Sequence, residues 1–291
     1  MMELTKQQIE EYREQGFVKL EGVLDESWIA LLQRAIERVE NEADKRPRVA
    51  NMSAMKEMAD AGQRPRIDGP VRREGRSDYL VAHNAWDWND ELRQVAFESP
   101  LAGLSAQLMA ATQIRFYFDQ TFVKPAGSLL RTQFHQDLGY WTCKGDQICT
   151  FWTPIDSVDR SNGAMGYVPG SHRWTEKYMA NVFVSPQPIP GQQGEQLPDI
   201  EANEEKYGVI YCECEPGDVI VHHVKTVHGS TGNTTADRPR RSVGLRYTGD
   251  DVTYHLPPGI PPESTPIADY LQDGEPLSGP LFPTIWPVPS E

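Results

Sequence analysis

The residue pattern with the clearest chemical potential is a histidine separated from an aspartate by one residue, His135-Gln136-Asp137. Positions i and i+2 of a strand point to the same face, so an imidazole and a carboxylate in this pattern can bind one metal ion. The pair alone is weak evidence, because seven histidines and 42 acidic residues produce about one such triplet by chance. The alternative is a histidine that hydrogen-bonds a neighbouring carboxylate on a surface strand. A metal site therefore needs a third ligand from elsewhere in the chain.

Three further histidines lie in the segment 216–230, which begins with a Pro-Gly-Asp turn and ends in His-Gly-Ser. A strand that ends at a histidine suits a distant third ligand. We favour His228, because the small Gly-Ser pair after it lets backbone and hydroxyl groups approach the same centre. His222 and His223 remain alternatives, although a structural role is favoured for both. Two histidines and one carboxylate on one face of iron are the ligand set of non-haem Fe(II) oxygenases, which leaves coordination positions open.

An arginine-rich segment, 238–242, leads into the next predicted strand. A guanidinium fixed at the base of a pocket binds the far carboxylate of a dicarboxylic acid through two parallel hydrogen bonds, which lysine does less well. Some of these arginines are expected only to decorate a turn in a very acidic protein. Arg240 is the favoured anion-binding residue and Arg241 the alternative, and Arg246 shares the face of Arg240 by strand parity.

The elements that must position these side chains begin with helices in the first third of the chain. Thr5 opens a short helix through a capping box and Gly16 ends it, before a predicted strand. Asp25 caps a second, amphipathic helix, and Pro100 suits the start of another. The polar stretch 45–80 contains three prolines and no clear hydrophobic period, which makes it a candidate lid.

From Ile114 onward the chain consists of short β-rich runs separated by glycine and proline, which predicts a sandwich or barrel. The runs are 114–124, 147–153, 164–168, 209–214, 218–223 and 242–248. The stretch 185–208 is rich in Pro, Gly, Gln and Glu and is typical of a surface insertion. Ten of the 23 prolines follow His255, so we expect the tail to wrap the domain in extended form.

Neither a repeat nor a linker divides the chain, so we expect one domain over 1–291. Residues 1–112 would form helical support and lid, 113–255 the β core, and 256–291 the extended tail.

Composition limits the partners of the protein. The 42 acidic and 28 basic residues give a net charge of −14, which argues against nucleic acids and anionic membranes as partners. No apolar run approaches the ~20 residues that cross a bilayer, and the acidic, amphipathic start differs from a signal peptide. The four cysteines form no CxxC pair and are expected to be reduced. A cytoplasmic monomer or homodimer that binds a small molecule is the resulting expectation.

Taken together, the motifs resemble the phytanoyl-CoA dioxygenase (PhyH) family of Fe(II)- and 2-oxoglutarate-dependent oxygenases. The resemblance covers most of the chain and rests on several ordered motifs, which lie at 5–17, 135–138, 162–172 and 228–233. It implies a mainly β fold with packed helices, in which a double-stranded β-helix (a cupin-like jelly roll) follows an N-terminal helical region.

The resemblance also implies roles for individual residues. His135, Asp137 and His228 would be the catalytic iron ligands, and Arg240, assisted by Ser230, would bind the distal carboxylate of 2-oxoglutarate. It places three further residues in the cosubstrate pocket, namely Gln120, Lys124 and Trp152. The implied cofactors are Fe(II), 2-oxoglutarate and O₂.

The implied activity is a dioxygenase reaction that oxidises an unactivated C–H bond of a small molecule, such as a natural-product intermediate, with release of succinate and CO₂. Hydroxylation is the favoured outcome, because the carboxylate at Asp137 leaves no vacancy for a halide ligand. The candidates for contact with the substrate are Tyr140, Trp141, His83 and Arg131, and ordinary core packing is the competing interpretation for the tryptophan.

Two other functions stay open at this stage. One is a non-catalytic jelly-roll protein that binds a small molecule or carbohydrate, in which the His-Asp pair is only a polar contact. The other is a cupin-like metalloenzyme that does not use 2-oxoglutarate.

Overall fold

The computed structural model describes residues 2–46, 48–63, 78–258 and 271–287. The helices in these ranges are α1 (Lys6–Gln15), α2 (Glu26–Glu42), α3 (Met52–Asp60), α4 (Asp90–Glu98), α5 (Leu101–Met109) and α6 (Glu204–Tyr207). The strands are β1 (Phe17–Leu20), β2 (Val49–Asn51), β3 (Leu80–His83), β4 (Ile114–Lys124), β5 (Thr132–His135), β6 (Cys143–Lys144), β7 (Ile148–Pro154), β8 (Met165–Tyr167), β9 (Asn181–Val182), β10 (Ser185–Pro188), β11 (Ile210–Cys212), β12 (Val219–His223), β13 (His228–Ser230), β14 (Arg240–Thr248), β15 (Thr253–Tyr254) and β16 (Thr284–Trp286).

Two antiparallel sheets form the β core. The larger sheet has the order β1-β12-β7-β14-β4-β3-β2, and β16 also pairs with β4. The smaller sheet has the order β11-β8-β13-β5. This mainly β, two-sheet arrangement confirms the predicted jelly roll with helices packed against it.

The first helices begin and end as their sequences predict. The Thr5 side chain accepts a hydrogen bond from the backbone N–H of Gln8, and the Gln8 side chain accepts one from the backbone N–H of Thr5. Gly16 ends α1 in the left-handed conformation at φ 82°. Asp25 accepts hydrogen bonds from two backbone N–H groups at the start of α2. A cap of this kind contributes about 1 kcal/mol to helix stability.

Strand alternation divides β14 between the helical layer and the space between the sheets. Three of its side chains join the core cluster under the helices, together with Leu32 and Ile36 of α2; they are Val243, Leu245 and Tyr247. The alternate positions on the opposite face are Arg240, Ser242, Gly244 and Arg246. The helices therefore cover one face of the large sheet, and its other face is free to build a site.

Part of the stretch proposed as a lid has regular structure. Strand β2 pairs with β3, and the Asn51 side chain caps α3 by accepting a hydrogen bond from Ala54. The cap stabilises the start of α3 by about 1 kcal/mol, and Met52, Met55 and Met58 recur at a helical spacing within it. The rest of the stretch, 64–77, lies outside the described residues, as do 259–270 and 288–291 of the tail. In the described tail, Leu277 and Phe282 are buried.

Among the described helices, none combines the length and the apolar character that a membrane crossing needs.

Candidate active site

Two neighbouring strands of the small sheet bring the predicted metal ligands together. His228 on β13 is directly opposite His135 on β5, and Asp137 begins the 3-10 turn that follows β5. One ligand atom from each of the three residues lies within 4.8 Å of the other two. Asp137 Oδ1 is 3.5 Å from His135 Nε2 and 3.8 Å from His228 Nε2. The exposed fraction of each residue is between 4% and 6%, so the cluster is shielded from bulk water.

The strand carrying the His-x-Asp pair ends earlier than the sequence predicts. Strand β5 stops at His135, and Asp137 belongs to the following turn. Gln136 between them has φ −105° and ψ 135°, which is extended backbone. The two side chains therefore still meet on one side of the chain, for the reason that strand geometry predicts.

Backbone carbonyls fix the tautomers of both histidines. His135 Nδ1 lies 2.7 Å from the carbonyl oxygen of Gln133, and His228 Nδ1 lies 2.9 Å from that of Thr226. A carbonyl oxygen only accepts, so each Nδ1 carries the proton and each Nε2 presents a lone pair. This arrangement is typical of metal-bound histidines.

The second carboxylate oxygen of Asp137 is held by two buried groups. The Thr150 hydroxyl lies 3.3 Å from Oδ2, and His222 Nε2 lies 3.4 Å from it. His222 Nδ1 is 3.3 Å from the Tyr167 hydroxyl. Oδ1 is thereby left facing the two histidines, where the three residues together could hold a metal ion.

The charges in the cluster suit metal binding at neutral pH. Burial alone would raise the pKa of the Asp137 carboxyl, but the imidazoles of His228, His135 and His222 outweigh it and hold this pKa well below its usual value. Burial, together with the neighbouring imidazoles, also lowers the pKa of His228. The site therefore offers an ionised carboxylate and a neutral His228 imidazole, which are the protonation states that bind a metal. This donor set, buried and with positions left open, fits Fe(II).

A pair of buried cations lies beside the triad. Lys124 at the end of β4 pairs in register with Arg240 at the start of β14. Lys124 Nζ donates to the Ser230 hydroxyl at 3.0 Å and to the carbonyl of Thr231 at 2.7 Å. Arg240 donates to Ser242 at 3.2 Å and to Ser230 at 3.5 Å. The guanidinium lies 5.7 Å from the ring centre of Trp152.

These two cations lack a carboxylate partner. No carboxylate in the described ranges lies within 4.0 Å of either charge, and the buried Arg240 Nε has no hydrogen-bond partner. Burial and the charge of Arg240 lower the pKa of Lys124 well below its usual value. Buried charges are unfavourable without a counter-ion, so the pocket fits a small anion such as the distal carboxylate of 2-oxoglutarate.

The structure separates the three arginines of the 238–242 segment. Arg240 is 1% exposed and lines the cavity of the triad. Arg241 instead forms a two-pronged ion pair with Asp156, in which the arginine Nη2 lies 2.7 Å from the carboxylate Oδ1. Arg238 is exposed and pairs with Asp159 at 2.8 Å. Strand parity thus directs one guanidinium into the cavity and its neighbour away from it.

Gln120 and His83 form a third polar group, on the side of Arg246. Gln120 donates to His83 Nε2 at 2.6 Å, and its carbonyl oxygen accepts a hydrogen bond from Arg246. Burial lowers the pKa of Arg246 to about 10, although Asp137 and Asp119 oppose this shift. Burial has the opposite effect on the Asp119 carboxyl and raises its pKa to about 6, although backbone hydrogen bonds from Trp86 and Ala85 act to lower it.

Acid is expected to destabilise the metal-free protein partly through His83. Burial, and then the charge of Arg246, lower its pKa from 6.5 to about 4, so the unfolded chain binds a proton that the folded chain excludes. This contribution is complete above pH 6.5 and is lost as pH falls toward 4. The ring is only partly buried, so we expect about 1–2 kcal/mol rather than the roughly 3 kcal/mol of a fully shielded group.

Denaturant unfolding of the wild type and of His83→Gln at pH 7 and pH 4.5 measures this difference. The wild type should lose more stability than the variant over that interval. An identical pH dependence in both proteins would contradict the assignment.

The other candidates for substrate contact occupy different environments. The Tyr140 hydroxyl donates to Asn181 at 2.7 Å, and its ring lies edge-on to His135 at 5.4 Å. Trp141 is 6% exposed and packs in the core cluster around Phe118 and Tyr117. Arg131 pairs on the surface with two carboxylates, those of Glu201 and Glu204.

Two cavities meet at His135. The inner one, of about 30 Å³, is lined by the triad, both buried arginines and Phe183. The outer one, of about 640 Å³, lies between β5 and the insertion, with Asn181 and Ile200 in its wall. Phe183 packs 5.3 Å from the His135 ring and adopts the uncommon φ of 34°. The inner cavity holds only a water-sized group, so a cosubstrate requires side chains to move.

Some site residues escape sequence reasoning. The sequence favours a structural role for His222, but this residue is 1% exposed and contacts the carboxylate of the triad. Its position two residues after the inward-facing Ile220 on β12 is the signal that could have placed it. Tyr79, which stacks on Lys124 at 5.0 Å, and Phe183 carry no such signal, because tertiary packing alone brings them to the cavity.

Comparisons with known proteins bear on this arrangement. Two solved structures with related folds are a non-heme alpha ketoglutarate dependent carbocyclase, SnoK, and an epimerase, SnoN, in complex with Fe³⁺, alpha ketoglutarate and nogalamycin RO. SnoK is 26% identical with a TM-score of 0.69, covering 97% of this chain and 96% of its own. SnoN is 21% identical with a TM-score of 0.68, covering 96% and 98%; at that identity the likeness shows the fold alone.

Sequence relatives lead to the same family. A probable phytanoyl-CoA dioxygenase of Caenorhabditis elegans is 30% identical over 130 residues, which are 43% of this chain and 39% of that protein. The match with the human peroxisomal phytanoyl-CoA dioxygenase spans 35% of its length, so the chain spans less than half of these relatives. The family model for phytanoyl-CoA dioxygenase (PhyH) matches residues 12–242. The chain therefore belongs to the phytanoyl-CoA dioxygenase (PhyH) family.

Proposed function

We propose that this protein is an Fe(II)- and 2-oxoglutarate-dependent dioxygenase that oxidises a C–H bond of a small molecule. The observation that carries the proposal is the coexistence, around one buried cavity, of a His-Asp-His triad and an unpaired buried Arg240. The triad suits iron, and the guanidinium suits the anionic cosubstrate. Either feature alone would fit other functions, whereas together they fit this one.

The overall reaction consumes substrate, 2-oxoglutarate and O₂ and yields hydroxylated substrate, succinate and CO₂. One oxygen atom enters the substrate and the other enters succinate, so atoms balance. Bound Fe(II) with its cosubstrate would supply the activation of O₂. The protein supplies the ligands, their orientation and a shielded cavity.

Each part of the site has a defined task in this proposal. His135 and His228 present Nε2 lone pairs because their Nδ1 protons are held by backbone carbonyls. Asp137 presents Oδ1 because Thr150 and His222 occupy its other oxygen. Arg240, together with Lys124 and Ser230, would hold the distal carboxylate, and Trp152 would form the wall behind it.

The outer cavity is the proposed approach for the substrate. Its volume of about 640 Å³ lies within the range of small-molecule pockets, roughly 300–1,000 Å³. Tyr140 lies beside it through its bond to Asn181. SnoK, the structural relative that is 26% identical, comes from nogalamycin biosynthesis, which supports a natural-product intermediate as the substrate class.

His222 is expected to strengthen metal binding by orienting Asp137. His222→Leu removes a hydrogen bond to the triad carboxylate, so we expect Fe(II) or Co(II) affinity to fall about 10- to 100-fold. His222→Gln can donate again and should recover part of the loss. His223→Gln is the matched control, because His223 faces the carbonyl of Asp146 instead. Equal metal affinity in all three variants would exclude this role.

Succinate formation tests the proposed activity. Protein purified without metal and supplied with Fe(II), 2-oxoglutarate and O₂ should form succinate slowly even without its substrate, and omission of any one component should stop it. A metalloenzyme that does not use 2-oxoglutarate would bind the metal and form no succinate. A jelly-roll binding protein without catalytic activity would bind neither Fe(II) nor 2-oxoglutarate.

We further propose a cytoplasmic protein that acts as a monomer or homodimer. The four cysteines are buried free thiols; they are Cys143, Cys149, Cys212 and Cys214. Free thiols suit a reducing compartment. Cell fractionation tests the location against a peroxisomal one, and light scattering of the purified protein measures the oligomeric state.

A further inference from the structure

A second buried guanidinium borders the same cavity as the triad and Arg240. Arg246 is 3% exposed. Its Nη1 donates to the carbonyl of Gly244 at 2.7 Å, and its Nη2 donates to the side-chain carbonyl of Gln120. Its buried Nε has no hydrogen-bond partner. An arginine side chain has five N–H donors, so the hydrogen-bonding capacity of Arg246 is only partly used.

No carboxylate in the described part of the chain forms an ion pair with Arg246 within 4.0 Å. Asp137 and Asp119 attract the Arg246 charge electrostatically, but both carboxylates lie farther from it than the 4.0 Å of an ion pair. A buried cation without a contacting counter-ion is costly. A buried cation of this kind, at the wall of a cavity, is a candidate binding site for an anionic ligand.

The surrounding residues hold the guanidinium in one orientation. A Cβ at Gly244 would stand 2.7 Å from Nη1 of Arg246. Glycine at position 244 therefore makes room for the Arg246 side chain, which folds back over the strand. Phe118 and Trp141 flank the cation, with ring centres 4.8 and 5.8 Å away. The Gln120 amide is fixed in turn by His83. The N–H groups are therefore pre-oriented, which lowers the entropic cost of binding an anion.

Arg246 and Arg240 lie at opposite ends of the inward face of β14. They are six positions apart, which is roughly 20 Å of strand. Arg240 pairs in register with Lys124, whereas Arg246 pairs with Thr150, the residue whose hydroxyl contacts Asp137. The two cationic centres therefore border the triad from different sides.

We propose that Arg246 is the anchor of a second carboxylate-binding subsite beside the metal, oriented by Gln120 and His83. The inference rests on the proposed function and adds a constraint on the ligands. The occupant is a carboxylate, either that of the primary substrate or the keto-acid carboxylate of 2-oxoglutarate. The first source corresponds to a carboxylic acid as the substrate, for which phenylacetate serves as a simple probe.

Calorimetry under anaerobic conditions separates these sources. Three Fe(II)-loaded proteins are compared, namely the wild type, Arg246→Gln and Arg246→Lys. Each is first titrated with 2-oxoglutarate. At saturating 2-oxoglutarate, each is then titrated with phenylacetate or with its neutral isostere phenylacetamide. Arg238→Gln is the matched control, because this exposed arginine pairs with Asp159. Thermal melting of the metal-free proteins checks that each variant is folded.

If the subsite binds the substrate, the wild type should bind phenylacetate more tightly than phenylacetamide by about tenfold or more. Arg246→Gln should lose that preference, while its Kd for 2-oxoglutarate should stay within about twofold of the wild-type value. If the subsite binds 2-oxoglutarate, Arg246→Gln should raise that Kd by about tenfold or more, with partial recovery in Arg246→Lys.

The inference is overturned if both Arg246 variants bind 2-oxoglutarate like the wild type and the wild type shows no preference for phenylacetate. In that outcome Fe(II) and 2-oxoglutarate still bind, so the proposed function survives. Failure of the wild type to bind either one would instead overturn the proposed function itself.

Discussion

Asp137→Ala is expected to lower Fe(II) affinity by more than about 100-fold, beyond the loss typical of a residue that only supports a ligand. The physical reason is that Asp137 supplies the only carboxylate in a cluster whose other ligand atoms are the neutral nitrogens of His135 and His228. Its removal leaves two imidazoles on neighbouring strands and no negative charge to balance the ion. Succinate formation should fall below detection for the same reason.

The matched control for this variant is Asp146→Ala. Asp146 has a 73% exposed side chain and pairs with Lys225 on the surface, so its loss should leave metal affinity unchanged. Thermal melting of both metal-free variants separates a ligand effect from misfolding. Undiminished Fe(II) binding by folded Asp137→Ala would show that this carboxylate is not a ligand.

Arg240→Gln is expected to raise the Kd for 2-oxoglutarate by roughly 100-fold, since loss of one partner of a buried charged pair costs about 2–5 kcal/mol. Arg240 is buried beside Lys124, and its Nε has no partner within the described structure. The glutamine variant keeps a polar group but removes the cation and the fork of donors. Arg240→Lys restores the charge alone and should recover part of the affinity.

Arg241→Gln provides the control for the neighbouring arginine. Its guanidinium pairs with Asp156 away from the cavity, so the Kd for 2-oxoglutarate should stay within about twofold of the wild-type value. Fe(II) affinity should be unchanged in both variants, because neither side chain contacts the triad. A larger loss in Arg241→Gln than in Arg240→Gln would reverse the assignment.

The clustering of His135, Asp137 and His228 follows in part from local patterns in the sequence. His135 and Asp137 are two residues apart, and His228 closes a recognisable turn-strand segment. The alternation of β14 similarly predicts that Arg240 and Arg246 share a face, which the register with β4 bears out. Capping residues predict the start of α1 and α2 for the same reason.

Other features depend on distant contacts that the local sequence does not reveal. Strand alternation on β12 separates His222 from His223, but it does not reveal that His222 meets Asp137 across 85 positions. Strand β13 has three residues and holds its place through pairing with β5 and β8. Helix α3 spans nine residues, and its short methionine repeat does not stand out within the polar stretch 45–80. Arg131, a candidate from sequence, pairs with glutamates of the insertion that lie 70 or more positions away.

The two cavities also lie beyond sequence reasoning, since they form between elements that are remote along the chain. Phe183, two residues before the insertion begins, meets His135 of β5 and Phe122 of β4. The boundary between the inner and outer cavity is thus set by tertiary packing.

One buried site is proposed to hold both Fe(II) and 2-oxoglutarate. Anaerobic calorimetry of the purified protein, first with Fe(II) and then with 2-oxoglutarate, measures whether it does. We predict one Fe(II) per chain, followed by one 2-oxoglutarate that binds much more weakly when the metal is omitted or when Asp137 or Arg240 is replaced. Binding of 2-oxoglutarate that is equally strong without metal, or the absence of binding to the iron-loaded protein, would contradict the claim.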